Sequence, residues 1–194
     1  MRVALQAPPW PVPQPTAELV DALGVLSDRV WSEAAVRFYA ERSAKVRRGM
    51  RAPKGMQGEL NRVISERMEA GGWLGNEGRY AKGRTWVRVT FRHQMSLGSD
   101  LVDAMKMCRK EGYELAVILA ADTSTLRTIS PNDAGAIISF EKLRIAVAEL
   151  NGVTDIPLLI GCLTPQSTPP RDIALALERN RPRDLTLPIG EDVE

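Results

Sequence analysis

An α/β fold is predicted from three observations. "TWVRVTFRHQ", Thr85 to Gln94, alternates with a period of two. "ELAVILAA" and "IPLLIGCL" are short, continuously apolar and β-branched, the pattern of strands buried on both faces in a parallel sheet. Stretches with helical spacing lie between them, so the later half reads as a βαβαβ run, which favours parallel neighbours and right-handed crossovers.

The elements follow in chain order. "MRVALQAPPWPVPQP" (1–15) reads as a proline-rich extended arm without a core of its own. A helical segment (16–48) starts at the cap candidate Thr16 and repeats through Leu19, Leu23, Leu26, Val30 and Ala34; Gly24 weakens it, giving one long helix or two broken ones. Gly49 and Pro53 end it and open the core region, 49–168. "MQGELNRVISERMEAGGW" puts Leu60, Val63, Ile64 and Met68 on one face and stops at Gly71-Gly72. After a turn-rich approach, Arg79-Tyr80-Ala81 forms a paired edge strand beside the strand at 85–91. In that strand Val87, Val89 and Phe91 point one way and Trp86, Arg88 and Thr90 the other. A strand that buries one face normally turns its second face to water or to a ligand, so Arg88 and Thr90 are expected there.

Ser99 is the expected cap of a helix burying Leu101, Met105 and Cys108; "DTSTLRTISPNDAG" reads as a polar loop, and Phe140, Leu143, Val147 and Leu150 mark another helix. A short helix around "DIALALER" is expected in the tail, 169–194.

Length fits one domain with a core of useful size. Hydrophobic and charged contents of 44% and 26% are those of a soluble globular protein, no apolar run approaches the ~18–20 residues of a membrane span, and the opening lacks a secretory pattern. Two isolated cysteines, Cys108 and Cys162, argue for a reducing cytoplasm and against a zinc or disulfide scaffold. Neither G-x-G-x-x-G nor G-x-x-x-x-G-K-[ST] follows a strand, which sets aside dinucleotide and P-loop chemistry. The lone His93, just past a strand, reads as a surface or edge residue.

Charge is uneven. Residues 1–97 carry 16 Lys+Arg against 9 Asp+Glu, a surplus of seven positive charges; residues 98–194 carry 10 against 15, a surplus of five negative ones. "RSAKVRRGMRAPK" concentrates Arg42, Lys45, Arg47, Arg48, Arg51 and Lys54 with no acid among them. Such a run suits either a polyanion partner or a solvated linker. Glu59 and Glu66, seven apart on one helix face, together with Glu77 before the strand, can gather a divalent cation. Arg62, three after Glu59 and four before Glu66, offers the plainer account of helix-surface ion pairs.

"PKGMQGELNRVISERMEAGGW", a turn, a strand, "GYELAVILAA", and a helix leading to "IPLLIGCL" together resemble type II restriction endonucleases of the BglII/BamHI group, within the PD-(D/E)XK nuclease superfamily. The resemblance covers roughly 50–165 and lies in pattern and order. It implies an αβα sandwich with a mixed central sheet, here carrying an N-terminal helical arm. In the family a strand bears an acid and, two residues on, a lysine, glutamine or glutamate, with a further acid before them. The strand "WVRVTF" takes that place, so Arg88 and Thr90 occupy the two positions, Glu77 the earlier acid's, and Glu59 that of a helix acid. Arginine repels a cation but holds a phosphate by a bidentate contact.

Three functions follow. The first is a catalytically inactive, nucleic-acid-binding protein with DNA as partner, needing no metal or cofactor, and using Arg47, Arg48, Arg51, Lys54, Arg79, Lys82, Arg84, Arg88 and Arg92 as phosphate contacts. The second is an active Mg²⁺-dependent endonuclease whose ligands have moved to Glu59, Glu66 and Glu77. The third is a non-enzymatic subunit of a larger DNA-processing or defence assembly, docking through the proline-rich arm and first helix. The resemblance also implies a homodimer, since a palindromic site mirrors a two-fold protein.

Overall fold

The computed structural model describes residues 2–6, 16–150 and 155–165. One six-stranded sheet organises them, in the order β1-β6-β5-β4-β3-β2. Its strands are β1 (Arg2–Gln6), β2 (Leu74–Asn76), β3 (Arg79–Lys82), β4 (Thr85–Thr90), β5 (Leu115–Ala121) and β6 (Leu158–Thr164). β4, β5 and β6 run parallel, while β1 and the β2–β3–β4 meander add antiparallel pairs at the two sides. The sheet is therefore mixed and the fold is α/β.

Helices cover both faces. α1 (Ala17–Val25), α2 (Asp28–Arg47) and α3 (Gln57–Ala70) pack on one side, with α4 (Leu97–Arg109) and α6 (Phe140–Glu149) on the other. The period of two in β4 assigns the layers: Val87, Val89 and Phe91 join Leu60, Ile64 and Trp31, whereas Trp86 joins Leu101, Ala104 and Leu143. α3 forms where its apolar spacing predicts, burying Leu60, Val63, Ile64 and Met68, and ends at Gly71-Gly72. Fully burying one such side chain is worth about 1.5–3 kcal/mol.

The first helical segment is two helices. The break follows Gly24, and Leu26 donates its N–H back to the Ala22 carbonyl at 3.0 Å. The Thr16 hydroxyl caps α1 by accepting from Leu19 N at 3.1 Å and also meets the Thr85 hydroxyl at 2.7 Å, tying the helix start to β4. Leu19, Leu26 and Trp31 share the core of α3, so α1 and α2 are part of the sandwich.

Four expectations are corrected. Residues 2–6, read as part of an extended arm, form β1, because their backbone pairs with β6. β4 is buried on both faces along its whole length, Arg88 and Thr90 included. The "DTSTLRTI" part of the polar loop is the helix α5 (Thr123–Ile129), since the Asp122 side chain accepts the Thr125 N–H at 2.7 Å and so caps it. α4 begins at Leu97, leaving Ser99 inside its first turn. Residues 7–15 and the "DIALALER" segment lie outside the described residues. Among those described, no helix is long and apolar enough to cross a membrane.

Candidate nucleic-acid interface

The nine cations expected to touch phosphate divide into two groups. Five lie on or beside the β3–β4 hairpin, and each has an acid partner. Arg79 meets Asp103 at 2.9 Å, Lys82 meets Asp21 at 2.8 Å, Arg84 pairs with Glu114, and Arg88 and Arg92 both reach Asp100, at 3.1 and 2.8 Å. The other four, Arg47, Arg48, Arg51 and Lys54, are exposed and have no ion-pair partner among the described residues.

Arg88 departs furthest from expectation. It is 2% exposed, and the Asp100 carboxylate facing it is wholly buried. Its Nη1 donates to the Glu77 carbonyl at 2.9 Å, while its Nε lies close to Asp100 without a well-aligned hydrogen bond. Burial pulls the guanidinium below its ordinary pKa and the Asp100 charge opposes that fall. Thr90 donates to the second Asp100 oxygen at 2.8 Å. The alternation did align Arg88 with Thr90, but their common face is covered by α4, not open to a phosphate. Asp100 was missed; the signal was a charged residue inside an apolar strand, which requires a counter-ion.

The same covering helix serves the next strand. Arg79 and Arg88 are register partners across β3 and β4, and Asp103 and Asp100, three apart on α4, face them in turn. The like charges side by side each face an acid, with Asp100 shared between Arg88 and Arg92. Lys82 also donates to the Gly71 carbonyl at 2.7 Å, and its hydrogen bond holds the Asp21 carboxyl below its ordinary range. These contacts tie the hairpin's cations to acids elsewhere in the protein.

The carboxylates named as metal ligands are dispersed over separate partners. Glu59, buried in the first turn of α3, reaches Arg62 at 3.2 Å and leaves Oε2 without a protein partner; its charge suits the helix N-terminus. Glu66 pairs with Arg37 at 2.7 Å, and Glu77 sits exposed at the β2–β3 turn. Among the described residues no group of three or more His, Cys, Asp or Glu side chains is placed to hold a metal ion. Glu59, Glu66 and Glu77 are thus not gathered around one ion. His93 is exposed, and its Nδ1 accepts the Met95 N–H at 3.3 Å.

The linker cations sit where α2 gives way to α3. Gly49, at φ 68°, turns the chain out of α2, with Met50 N donating to the Lys45 carbonyl at 2.9 Å. Arg47, in the last turn, also complements the helix dipole, a structural role in itself. The end of the linker is fixed twice. Gly55 packs so closely on the Ile129 carbonyl that a β-carbon would overlap it, and Gln57 Nε2 donates to the Phe91 carbonyl at 3.0 Å. Lys54 is thereby carried to the edge formed by the ends of β4 and α5, beyond the carboxyl end of a parallel strand, where open α/β sheets place ligands.

No family model matches the chain, and no curated protein matches it. Among solved structures, the crystal structure of restriction endonuclease BglII complexed with a DNA 16-mer is similar at 18% identity and a TM-score of 0.43, over 53% of this chain and 52% of that one. The chain thus spans about half the length of that relative.

Proposed function

We propose that this chain binds DNA through its backbone phosphates, using the α2–α3 linker, and does not cleave it. The observation that carries the proposal is the partition of the nine cations: the four from the end of α2 through the linker are exposed and have no ion-pair partner among the described residues, whereas the hairpin's five already serve acids of the protein. Unpaired surface cations gain by displacing the counter-ions condensed on a nucleic acid, and paired ones gain less. Support for the non-cleaving part comes from Arg88, a buried cation at the strand position where the family resemblance places a metal-gathering acid.

The experiment is a salt titration of duplex DNA affinity. Each phosphate contact contributes about 0.9 to the slope of log K against log salt, so removing Arg51 and Lys54 together lowers the slope by about two. A slope unchanged by that double variant overturns the assignment of the linker. Incubation with Mg²⁺ or Mn²⁺ tests the rest: metal-dependent cutting, lost in Glu59→Ala and Glu77→Ala variants, would establish the active-endonuclease alternative instead.

A further inference from the structure

Beside the linker lies a second feature of a different character. A polar cavity of about 220 Å³ opens between Lys54 and Gln57 on one wall and the α5–α6 loop, with Ser130, Asn132 and Asp133, on the other. It is smaller than the ~300–1,000 Å³ that encloses a drug-sized ligand. Gln57 is held by its bond to the Phe91 carbonyl, but the polar side chains of the facing loop are unengaged. Ser130 and the exposed Asn132 and Asp133 have no side-chain hydrogen-bond partner among the described residues, whereas Asp122, at the opposite end of α5, accepts from Ser124, Thr125 and Thr164.

We infer that this cavity reads the edge of a nucleobase, and that Asn132 and Asp133 are specificity-determining residues. The inference rests on the DNA-binding function proposed above. The chemistry selects a base over a phosphate. Asp133 repels an anion, while its carboxylate accepts from an exocyclic amine, as acids do from cytosine N4. Asn132 offers a donor and an acceptor side by side, the pair that matches the N6 and N7 positions of adenine. Lys54, on the opposite wall, is both a cavity residue and a linker cation. A base edge entering here therefore belongs to the same strand or duplex whose phosphates the linker holds. The backbone contacts fix position and the cavity supplies sequence discrimination, a division of labour common to protein–DNA interfaces.

Selection from a randomised duplex pool tests this with the full chain. The wild type is expected to enrich a preferred sequence. Asn132→Ala and Asp133→Ala are each expected to relax preference at one position, by about fivefold or more, with the salt slope of affinity unchanged. Arg51→Ala with Lys54→Ala is expected to weaken binding to all sequences alike. If the wild type binds but enriches nothing, or if Asn132→Ala and Asp133→Ala enrich the same sequence to the same extent, the cavity's role is overturned while DNA binding stands. If the wild type binds no duplex at all, the DNA-binding function itself has failed, and the cavity assignment falls with it. A thermal melt of each variant separates loss of preference from loss of fold.

Discussion

The Asp100 carboxylate and the Arg88 guanidinium form an ion pair inside the protein, with Oδ1 3.1 Å from Nε and neither side chain more than 2% exposed. Asp100 also takes Thr90 and Arg92, so one carboxylate organises three side chains of β4 and its extension. Such a pair is not a strong source of net stability, because both ions give up their hydration, but breaking it is costly.

Asp100→Ala is therefore expected to lower unfolding stability by about 3–5 kcal/mol, through the uncompensated charge left on Arg88. Replacing both partners, as Arg88→Met with Asp100→Leu, is expected to recover part of that loss, the remainder being the cost of the buried Thr90 hydroxyl left without its acceptor. Urea denaturation of the single and double variants checks it; equal stability for Asp100→Ala and wild type would show that the pair contributes nothing.

The hairpin cations should matter little to binding. Arg79→Ala, Lys82→Ala and Arg84→Ala are each expected to change DNA affinity by less than about twofold, since each already answers an acid and an exposed pair is worth about 0–1 kcal/mol. Fluorescence anisotropy at fixed salt reads the result. A tenfold loss in any of them would extend the interface onto the hairpin.

Gly55 holds two loops together by its lack of a side chain. Gly55→Ala forces the linker away from the Ile129 carbonyl and is expected to cost about 1–3 kcal/mol of stability, as overpacked sites do. Because the cavity shares these walls, the same variant should lose sequence preference before it loses affinity. Parallel melts and binding curves check both.

Acid should weaken the α5 cap. Burial alone would raise the Asp122 pKa, but hydrogen bonds from Ser124, Thr125 and Thr164 outweigh it and hold the carboxyl below its ordinary value. A depressed folded-state value means that the unfolded chain takes up the proton more readily. The contribution is then present above the unfolded value of about 3.9 and fades as the pH falls through the lower folded one. Asp122→Ala should cost about 1 kcal/mol at neutral pH, with the difference from wild type shrinking below about pH 4. A difference that stays constant down to pH 2 would contradict the cap's ionic character.

Elements whose signal is local were legible in the sequence: α3 and α6 by spacing and β5 and β6 by continuous apolar runs. β4 was placed correctly, yet its burial was not, because alternation marks two faces without saying what covers the second. β1 was hidden because its partner lies far along the chain and its proline-rich sequel dominates the composition. α5 was obscured by Thr123, Thr125 and Thr128, residues of modest helix propensity, although Asp122 ahead of them was a readable cap. At the site, the linker cations were visible as a run of charge, and the cavity was not, since Gln57 and Asn132 meet only through folding.

The pairing of Arg2 with Thr164 places the first strand beside one made from residues near the other end of the described chain. Contacts of such sequence separation are slow to form, because the intervening loop must close before they return any energy. During synthesis the sheet stays open on that side until β6 has left the ribosome. Until then the edge of β5 is available to any other extended segment, so a chaperone that shields it early would raise the yield of native protein more than one that acts late.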